Sequence, residues 1–108
     1  MIKKTAIALL LMTLPLAAAA KGDAESGKQK SQVCQACHGL DGKSIDPTYP
    51  NLAGQHEDYL QKSLADYRAG RRTNPIMMGI ASPLTDQDIM DLAAWYASQE
   101  GLQDLSIK

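Results

Sequence analysis

Two cysteines and a histidine stand together in the segment Cys34-Gln35-Ala36-Cys37-His38. Two thiols at this spacing can each add across a vinyl group of haem, which gives two thioether bonds. A histidine directly after the second thiol can then supply one axial nitrogen to the iron. The Cys-x-x-Cys-His pattern is therefore typical of covalent attachment of c-type haem. We predict that Cys34 and Cys37 hold haem c and that His38 binds its iron.

Three other chemistries use closely spaced cysteines. A thioredoxin-like redox pair is expected beside a strand in a βαβ pattern, and neither is visible in this sequence. A tetrahedral zinc site needs a fourth ligand, for which His56 is the remaining candidate. A structural disulfide suits an exported protein, but it would not account for His38. The sequence therefore favours haem attachment over these alternatives.

A second axial ligand is available in the segment that precedes the last predicted helix, where Met77 and Met78 are adjacent. A thioether is a weak, neutral ligand that favours ferrous iron and raises the reduction potential. Met90 lies inside the last helix and is interpreted as a packing residue. His56 would instead give a bis-histidine iron, and the absence of any distal ligand would leave the iron open to small molecules.

Residues 1–20 have the features of a secretory signal peptide. Lys3 and Lys4 are followed by an apolar run over residues 7–16 and by three alanines at residues 18–20. The run is shorter than the ~20 residues of a typical membrane span, and Pro15 interrupts it. We predict an exported chain whose domain covers residues 21–108, located in the periplasm without stable membrane insertion. An uncleaved anchor is the alternative.

The composition excludes one class of partner and favours a buried cofactor. The formal net charge is −1, and removal of Lys3 and Lys4 with the leader makes it −3. Nucleic-acid-binding proteins present basic faces, so nucleic acid is not an expected partner. The remaining chain forms one small domain and contains no phenylalanine. A buried porphyrin would supply the large apolar centre that these side chains do not provide.

The first helix is predicted to begin after Asp23, a good N-cap residue, and to run through Gly27 and Val33 into Cys34. Gly27 marks either a close contact between helices or an ordinary interruption within one helix. Residues 39–54 contain repeated glycines and prolines and no periodic pattern, so they are predicted to form a loop.

Two further helices follow in the sequence. One covers about residues 57–69 and is ended by Gly70, and the other is capped by Thr85 and ended by Gly101. Residues 71–83 between them are predicted to be a loop. No segment has the alternation of a strand, so we expect an all-α fold whose helices and loops wrap around one haem.

These features together resemble the class I c-type cytochromes with a single haem, most closely the bacterial c553, c5 and c4 types. The resemblance covers nearly all of residues 21–108. It includes Gly22-Asp23-Ala24, Cys34 to His38, Pro50 to Gln55, Gly70-Arg71-Arg72, Met77 and Leu84-Thr85-Asp86. The resemblance implies the small class I cytochrome c fold.

The resemblance also implies roles for individual residues. In this family the ligand methionine stands seven residues before the leucine that precedes the last helix cap, and Met77 has this spacing from Leu84. Met77 is therefore favoured over Met78. The family also implies that the Pro50 carbonyl accepts a hydrogen bond from the His38 imidazole. Pro47 is the competing candidate, and a simple turn proline is the other interpretation of Pro50.

The implied function is that of a soluble periplasmic one-electron carrier, with redox proteins as donor and acceptor. The c4 types contain two such domains, whereas this sequence has one haem motif, so we expect one haem. The cofactor carries the redox chemistry, and we do not expect the protein to be an enzyme by itself. One alternative is an electron-accepting haem subunit of a larger dehydrogenase complex. Another is a ligand-binding haem sensor, which would need a vacant or labile distal site.

Overall fold

The computed structural model describes residues 2–12 and 21–101 of the chain. Residues 2–12 have no regular secondary structure and are exposed. Residues 21–101 form five helices, which are α1 (Ala24–Lys30), α2 (Gln32–His38), α3 (Glu57–Ala69), α4 (Pro75–Ala81) and α5 (Asp86–Ala97). Neither of the two described ranges contains a strand, and the all-α prediction is confirmed.

The predicted leader lies partly outside these ranges. The three alanines at residues 18–20, which were predicted to form the cleavage site, are outside the described residues. No helix in the described part of the chain has both the length and the apolar character needed to cross a membrane. The leader and the domain boundary at residue 21 therefore stay predictions.

The segment predicted to be one helix ending at Cys34 is instead two short helices that meet at Ser31. Asp23 caps α1 as predicted, and its side chain accepts a hydrogen bond from the Glu25 backbone N–H at 3.2 Å. The prediction of a continuous helix is wrong because the buried Ser31 hydroxyl donates to the Lys28 carbonyl at 2.7 Å. Such bonds between a serine and a nearby carbonyl compete with the regular helical pattern. A new helix then starts and continues beyond Cys34.

Helices α3 and α5 begin where the sequence predicted them. Gly70 ends α3 in the left-handed conformation, with a φ of 78°. Thr85 caps α5, since its side chain accepts a hydrogen bond from the Asp88 backbone N–H at 3.0 Å and Asp88 reciprocates toward the Thr85 backbone N–H. The helix ends at Ala97, earlier than the predicted end at Gly101.

The prediction that residues 71–83 form a loop is wrong for Pro75–Ala81, which form α4. The Asn74 side chain accepts hydrogen bonds from the backbone N–H groups of Ile76 and Met77, each at 3.1 Å. Proline is well accommodated in the first turn of a helix because its missing N–H would have no intrahelical partner there. The Asn-Pro pair, interpreted from the sequence as a helix breaker, therefore starts a helix.

Helices α1 and α5 are in close contact at Gly27. A β-carbon on Gly27 would collide with the carbonyl of Asp91, so this glycine marks a close approach between helices. Asp91 itself is buried, with 3% of its surface exposed. Its carboxylate accepts from the Asp23 backbone N–H at 2.8 Å, from Lys30 Nζ at 2.6 Å and from Gln87 Nε2 at 2.8 Å.

The main apolar core lies between α3 and α5. Leu60, Leu92, Ala93 and Tyr96 form a buried cluster, and Cys34 packs against its edge. The core therefore places α2, with its two cysteines and its histidine, against the rest of the domain.

Candidate functional site

Cys34, Cys37 and His38 lie on the same helix, α2, at positions i, i+3 and i+4. Residues with this spacing lie on one face of an α-helix. His38 is buried, with 6% of its surface exposed, and the two cysteines are half-buried. Gly39, with a φ of 83°, ends the helix directly after His38. The helix thus presents two thiols and one imidazole together.

These three side chains line a cavity of about 350 Å³. Its other walls come from residues 48–52 and 55 of the loop, from α3 and α4, and from Leu92, Ala93 and Tyr96 of α5. No Asp or Glu is among the described residues that line it. The surface of the cavity is mostly apolar, and the thiols and the imidazole lie together in one wall.

The orientation of the His38 ring is fixed by the Pro50 carbonyl oxygen, which lies 2.8 Å from Nδ1. A carbonyl oxygen can only accept a hydrogen bond, so Nδ1 carries the proton and donates it. In the neutral imidazole this leaves Nε2 as the nitrogen with a free lone pair, which is the form that binds a metal. The Tyr49 ring also packs near the imidazole in a T-shaped arrangement, with ring centroids 6.4 Å apart.

The position of the Pro50 carbonyl is itself held by the loop. The Gly42 carbonyl accepts hydrogen bonds from the backbone N–H groups of Leu52 and Ala53, at 2.8 and 3.1 Å. The Asn51 side chain accepts from the Ser44 backbone N–H at 2.7 Å. These bonds tie the residues that directly follow Pro50 to the start of the loop. The competing proline, Pro47, is exposed and does not contact the imidazole nitrogen.

The two adjacent methionines of α4 have different surroundings. Met77 lines the cavity, whereas Met78 is not among the residues that line it. The methyl end of Met78 instead lies near Gly70, 3.9 Å from where a β-carbon would stand. His56 is exposed at the N-cap of α3 and does not line the cavity. The structure thus brings Met77, rather than Met78 or His56, to the same cavity as His38.

The environment of Cys34 does not suit a thiolate. Burial raises the pKa of the Cys34 thiol, and burial likewise raises the pKa of the nearby Tyr96 hydroxyl. A thiol whose pKa is raised is a poor redox nucleophile, because the thiolate is the reactive form. Neither cysteine forms a disulfide in the described residues, which also contain no group of three His, Cys, Asp or Glu side chains able to hold a metal ion. These observations disfavour the zinc, disulfide and thioredoxin-like interpretations.

The residues present fit a haem group. A mostly apolar cavity suits the porphyrin ring, and Cys34 and Cys37 line it at the spacing that attachment to two vinyl groups requires. The Nε2 lone pair of His38 and the thioether of Met77 are nitrogen and sulfur donors of the kind that bind haem iron in c-type cytochromes.

Sequence reasoning did not assign Tyr49, Tyr67 or Arg72 to the site, although each lines the cavity. The spacing of Leu60, Leu64 and Tyr67 predicted a buried face of α3, but it could not show that this face meets the cavity. Tyr49 could have been suspected from its position directly before Pro50. Arg72 belongs to the Gly70-Arg71-Arg72 segment of the resemblance, but the sequence does not assign it to the cavity, because the left-handed turn at Gly70 determines where that side chain lies.

Comparisons with known proteins agree with this geometry. A sequence profile described as cytochrome c matches residues 24–100. Cytochrome c4 of Pseudomonas aeruginosa is 50% identical over 93 residues, which cover 84% of this chain and 46% of that protein. Cytochrome c-554(548) of Halomonas halodenitrificans is 48% identical over 82 residues, which cover 73% of this chain and 99% of that protein.

A solved structure gives the same result for the fold. The crystal structure of reduced recombinant cytochrome c4 from Pseudomonas stutzeri matches with a TM-score of 0.71 and 48% sequence identity. The match covers 75% of this chain and 47% of that chain. The chain therefore has the class I cytochrome c fold, and it spans about half the length of the cytochrome c4 relatives that it matches.

Proposed function

Because this chain belongs to the cytochrome c family, we propose that it carries single electrons between redox proteins by means of one covalently attached haem c. The observation that supports this proposal best is that one cavity is lined by Cys34, Cys37, His38 and Met77. These are the two thiols, the imidazole and the thioether that covalent attachment and six-coordinate iron require. When bound, haem c supplies the one-electron change between ferric and ferrous iron.

The protein's own residues attach and orient the cofactor. Cys34 and Cys37 would form the two thioether bonds that hold the haem to α2. His38 would coordinate the iron through Nε2, and the Pro50 carbonyl holds the ring through Nδ1 at 2.8 Å. A hydrogen bond of this kind makes the imidazole a stronger donor. Little movement of these groups is needed when an electron arrives or leaves.

Met77 is the proposed distal ligand. Its thioether is neutral and weakly basic, so it favours ferrous iron and raises the reduction potential. The Asn74 side chain caps the start of α4 and thereby fixes the backbone on which Met77 lies, by accepting from the Met77 N–H at 3.1 Å. With His38 and Met77 both holding the iron, the haem would offer no position for substrates or gases, which favours a carrier over a sensor.

The location and partners are further parts of the proposal. The predicted signal peptide supports a periplasmic protein, in which the domain covers residues 21–108. The formal charge of −3 after removal of the leader supports partners with basic docking surfaces, and the two haem propionates would add further negative charge. The donor and the acceptor are proposed to be redox proteins, whether they are separate complexes or a dehydrogenase that contains this chain as a subunit.

A redox titration of the purified protein tests the central proposal. The absorption spectrum should follow one reversible one-electron transition, with one haem for each polypeptide by the pyridine haemochrome assay. Ferrous protein should not bind carbon monoxide readily, since Met77 occupies the distal position. Rapid carbon monoxide binding would contradict the carrier and support a sensor. Copurification with a dehydrogenase in fixed stoichiometry would identify the chain as a subunit instead.

A further inference from the structure

Arg72 places a guanidinium at the cavity that contains the two cysteines and the histidine. It is the single Lys or Arg side chain among the described residues that line this cavity, and no described Asp or Glu lies there to pair with it. Arg72 is exposed, so its guanidinium lies at the solvent edge of the cavity. The position of Arg72 therefore suits an anionic group at the exposed edge of the cavity's occupant.

The neighbouring arginines already have carboxylate partners. Arg68 pairs with Asp86 at 2.6 Å, and Arg71 pairs with Asp66 at 2.7 Å. In the part of the chain that the structure describes, Arg72 forms no such ion pair, and its guanidinium instead lies over the Tyr67 ring, 4.5 Å from the centroid. Tyr67 also lines the cavity. The aromatic ring thus supports the guanidinium from one face and leaves its N–H edge available.

The backbone around Arg72 is held in this arrangement by the end of α3. Gly70 adopts the left-handed conformation, and the backbone N–H groups of Arg71 and Arg72 both donate to the Asp66 carbonyl, at 2.8 and 3.2 Å. This turn directs the Arg71 side chain to the Asp66 carboxylate, while Arg72 reaches the cavity. Arg71 therefore forms an ion pair within the protein, whereas the adjacent Arg72 lines the cavity.

The haem proposed for this cavity carries two propionate carboxylates. A planar guanidinium presents paired N–H donors whose geometry matches a carboxylate, and such charge-assisted bonds are stronger than those between neutral groups. We propose that Arg72 binds a haem propionate and that the Tyr67 ring holds the guanidinium in place for that contact. This inference rests on the proposed haem c function. Neutralising a carboxylate near the iron also raises the reduction potential, because negative charge favours the ferric state.

Two single variants of the haem-loaded protein test this assignment. Arg72→Gln removes the charge at the cavity, and Arg71→Gln removes the same charge from the adjacent residue, where Asp66 keeps Lys62 as a partner at 2.5 Å. Resonance Raman spectra of both should be compared with the parent protein in the region of the propionate bending mode. We expect the band to shift in Arg72→Gln only. The reduction potential should fall in Arg72→Gln by clearly more than in Arg71→Gln.

Arg72→Lys provides the second test, because it keeps the charge but loses the paired donors of the guanidinium. Its propionate band should shift in the same direction, while its potential should fall less than that of Arg72→Gln. A band at the parental frequency in Arg72→Lys, or in Arg72→Gln, overturns the assignment. If the proposed function is wrong, the parent protein itself should contain no covalent haem. There would then be no propionate band to compare.

Discussion

Gly27 on α1 packs against the backbone carbonyl of Asp91 on α5 with no room between them for a β-carbon. Gly22, just before α1, makes a similar approach to the carbonyl of Met90, the residue before Asp91 on α5. The obstacle at both positions is backbone, which cannot move aside as the end of a flexible side chain can. The contact between α1 and α5 therefore depends on glycine. Helix α2 follows α1 directly in the chain.

Replacing Gly27 with alanine should reduce the stability of the domain. The added methyl group must separate α1 from α5, at a cost of about 1–3 kcal/mol in the free energy of unfolding. Gly79→Ala is a matched control, since Gly79 is also helical and a β-carbon there meets nothing within 4 Å. That change should leave stability unchanged or raise it by up to about 1 kcal/mol. Urea unfolding of both variants measures the difference, and equal effects would contradict the close contact.

Asp91→Asn should weaken the same helix pair in a manner that depends on pH. Burial alone would raise the pKa of Asp91, but its hydrogen bonds from Lys30, Asp23 and Gln87 outweigh burial and lower that pKa. A carboxyl group with a lowered pKa in the folded state stabilises the protein above its ordinary pKa of about 4. This stabilisation is lost as the pH falls through the lowered value. The substitution should therefore cost about 1.5–3 kcal/mol at neutral pH and progressively less in acid.

The control for this prediction is Asp86→Asn. Asp86 also forms an ion pair, with Arg68 at 2.6 Å, but 85% of its side chain is exposed. Exposed pairs contribute less than about 1 kcal/mol, so this variant should remain close to the parent protein at every pH. Denaturant unfolding of both variants across the acidic range provides the comparison. A constant difference between Asp91→Asn and the parent protein down to the lowest pH would show that the Asp91 charge does not stabilise the fold.

Local sequence patterns predicted much of this fold. The caps at Asp23 and Thr85 and the stop at Gly70 are local signals, and each lies where the sequence placed it. The break at Ser31 was missed because a side-chain hydrogen bond to Lys28 interrupts an otherwise acceptable helical segment. Helix α4 was missed because Asn74-Pro75 serves equally as an interruption and as a helix start, and only the surrounding structure distinguishes the two.

Less of the candidate site than of the fold could be predicted from the sequence. The pattern of Cys34, Cys37 and His38 is local and could be interpreted directly. The Pro50 contact joins residues on opposite sides of a long loop, and it came from resemblance to a family rather than from any periodicity. Arg72 and Tyr67 reach the cavity through the turn at Gly70 and the packing of α3 on α5, which no single segment of sequence encodes.

Cys34 and Cys37 should both be consumed by covalent attachment. Protein denatured in acidic organic solvent should keep its haem, and thiol reagents should find no free cysteine. Changing either residue to serine should leave one thioether and lower the yield of holoprotein sharply, because the cofactor supplies much of the core of so small a domain. Mass spectrometry of the denatured protein measures the attached mass. Haem that extracts completely from the parent protein would contradict covalent attachment.

The exported protein should begin near Lys21. We expect N-terminal sequencing or intact mass of periplasmic protein to show loss of residues 1–20, because the apolar run resembles a cleaved leader rather than a membrane span. Replacing Ala18 and Ala20 with larger residues should slow this cleavage, while the same change at Thr5, far from the site, should not. A chain that begins at Met1 and needs detergent for extraction would identify the run as an anchor.

Met77 and Met78 should respond differently to alanine substitution. Met77 shares a cavity with His38, whereas the end of Met78 lies near Gly70. Met77→Ala should abolish the far-red absorption band of iron–methionine bonding and lower the reduction potential, since water or a stronger donor replaces the thioether. Met78→Ala should keep the band and cost about 1–3 kcal/mol in the free energy of unfolding, because it removes half-buried packing.

The two variants are informative together because Met77 and Met78 are adjacent on α4 and chemically identical. The two residues differ only in the direction in which each side chain points. Loss of the band in Met78→Ala with retention in Met77→Ala would place the ligand one residue later. If both variants kept the band, the sulfur would have to come from elsewhere, and Met90 on α5 would be tested next. If the parent protein lacked the band, His56→Ala would decide for or against a bis-histidine iron. Because His56 is exposed at the N-cap of α3 and does not line the cavity, that ligation would require the start of α3 to move.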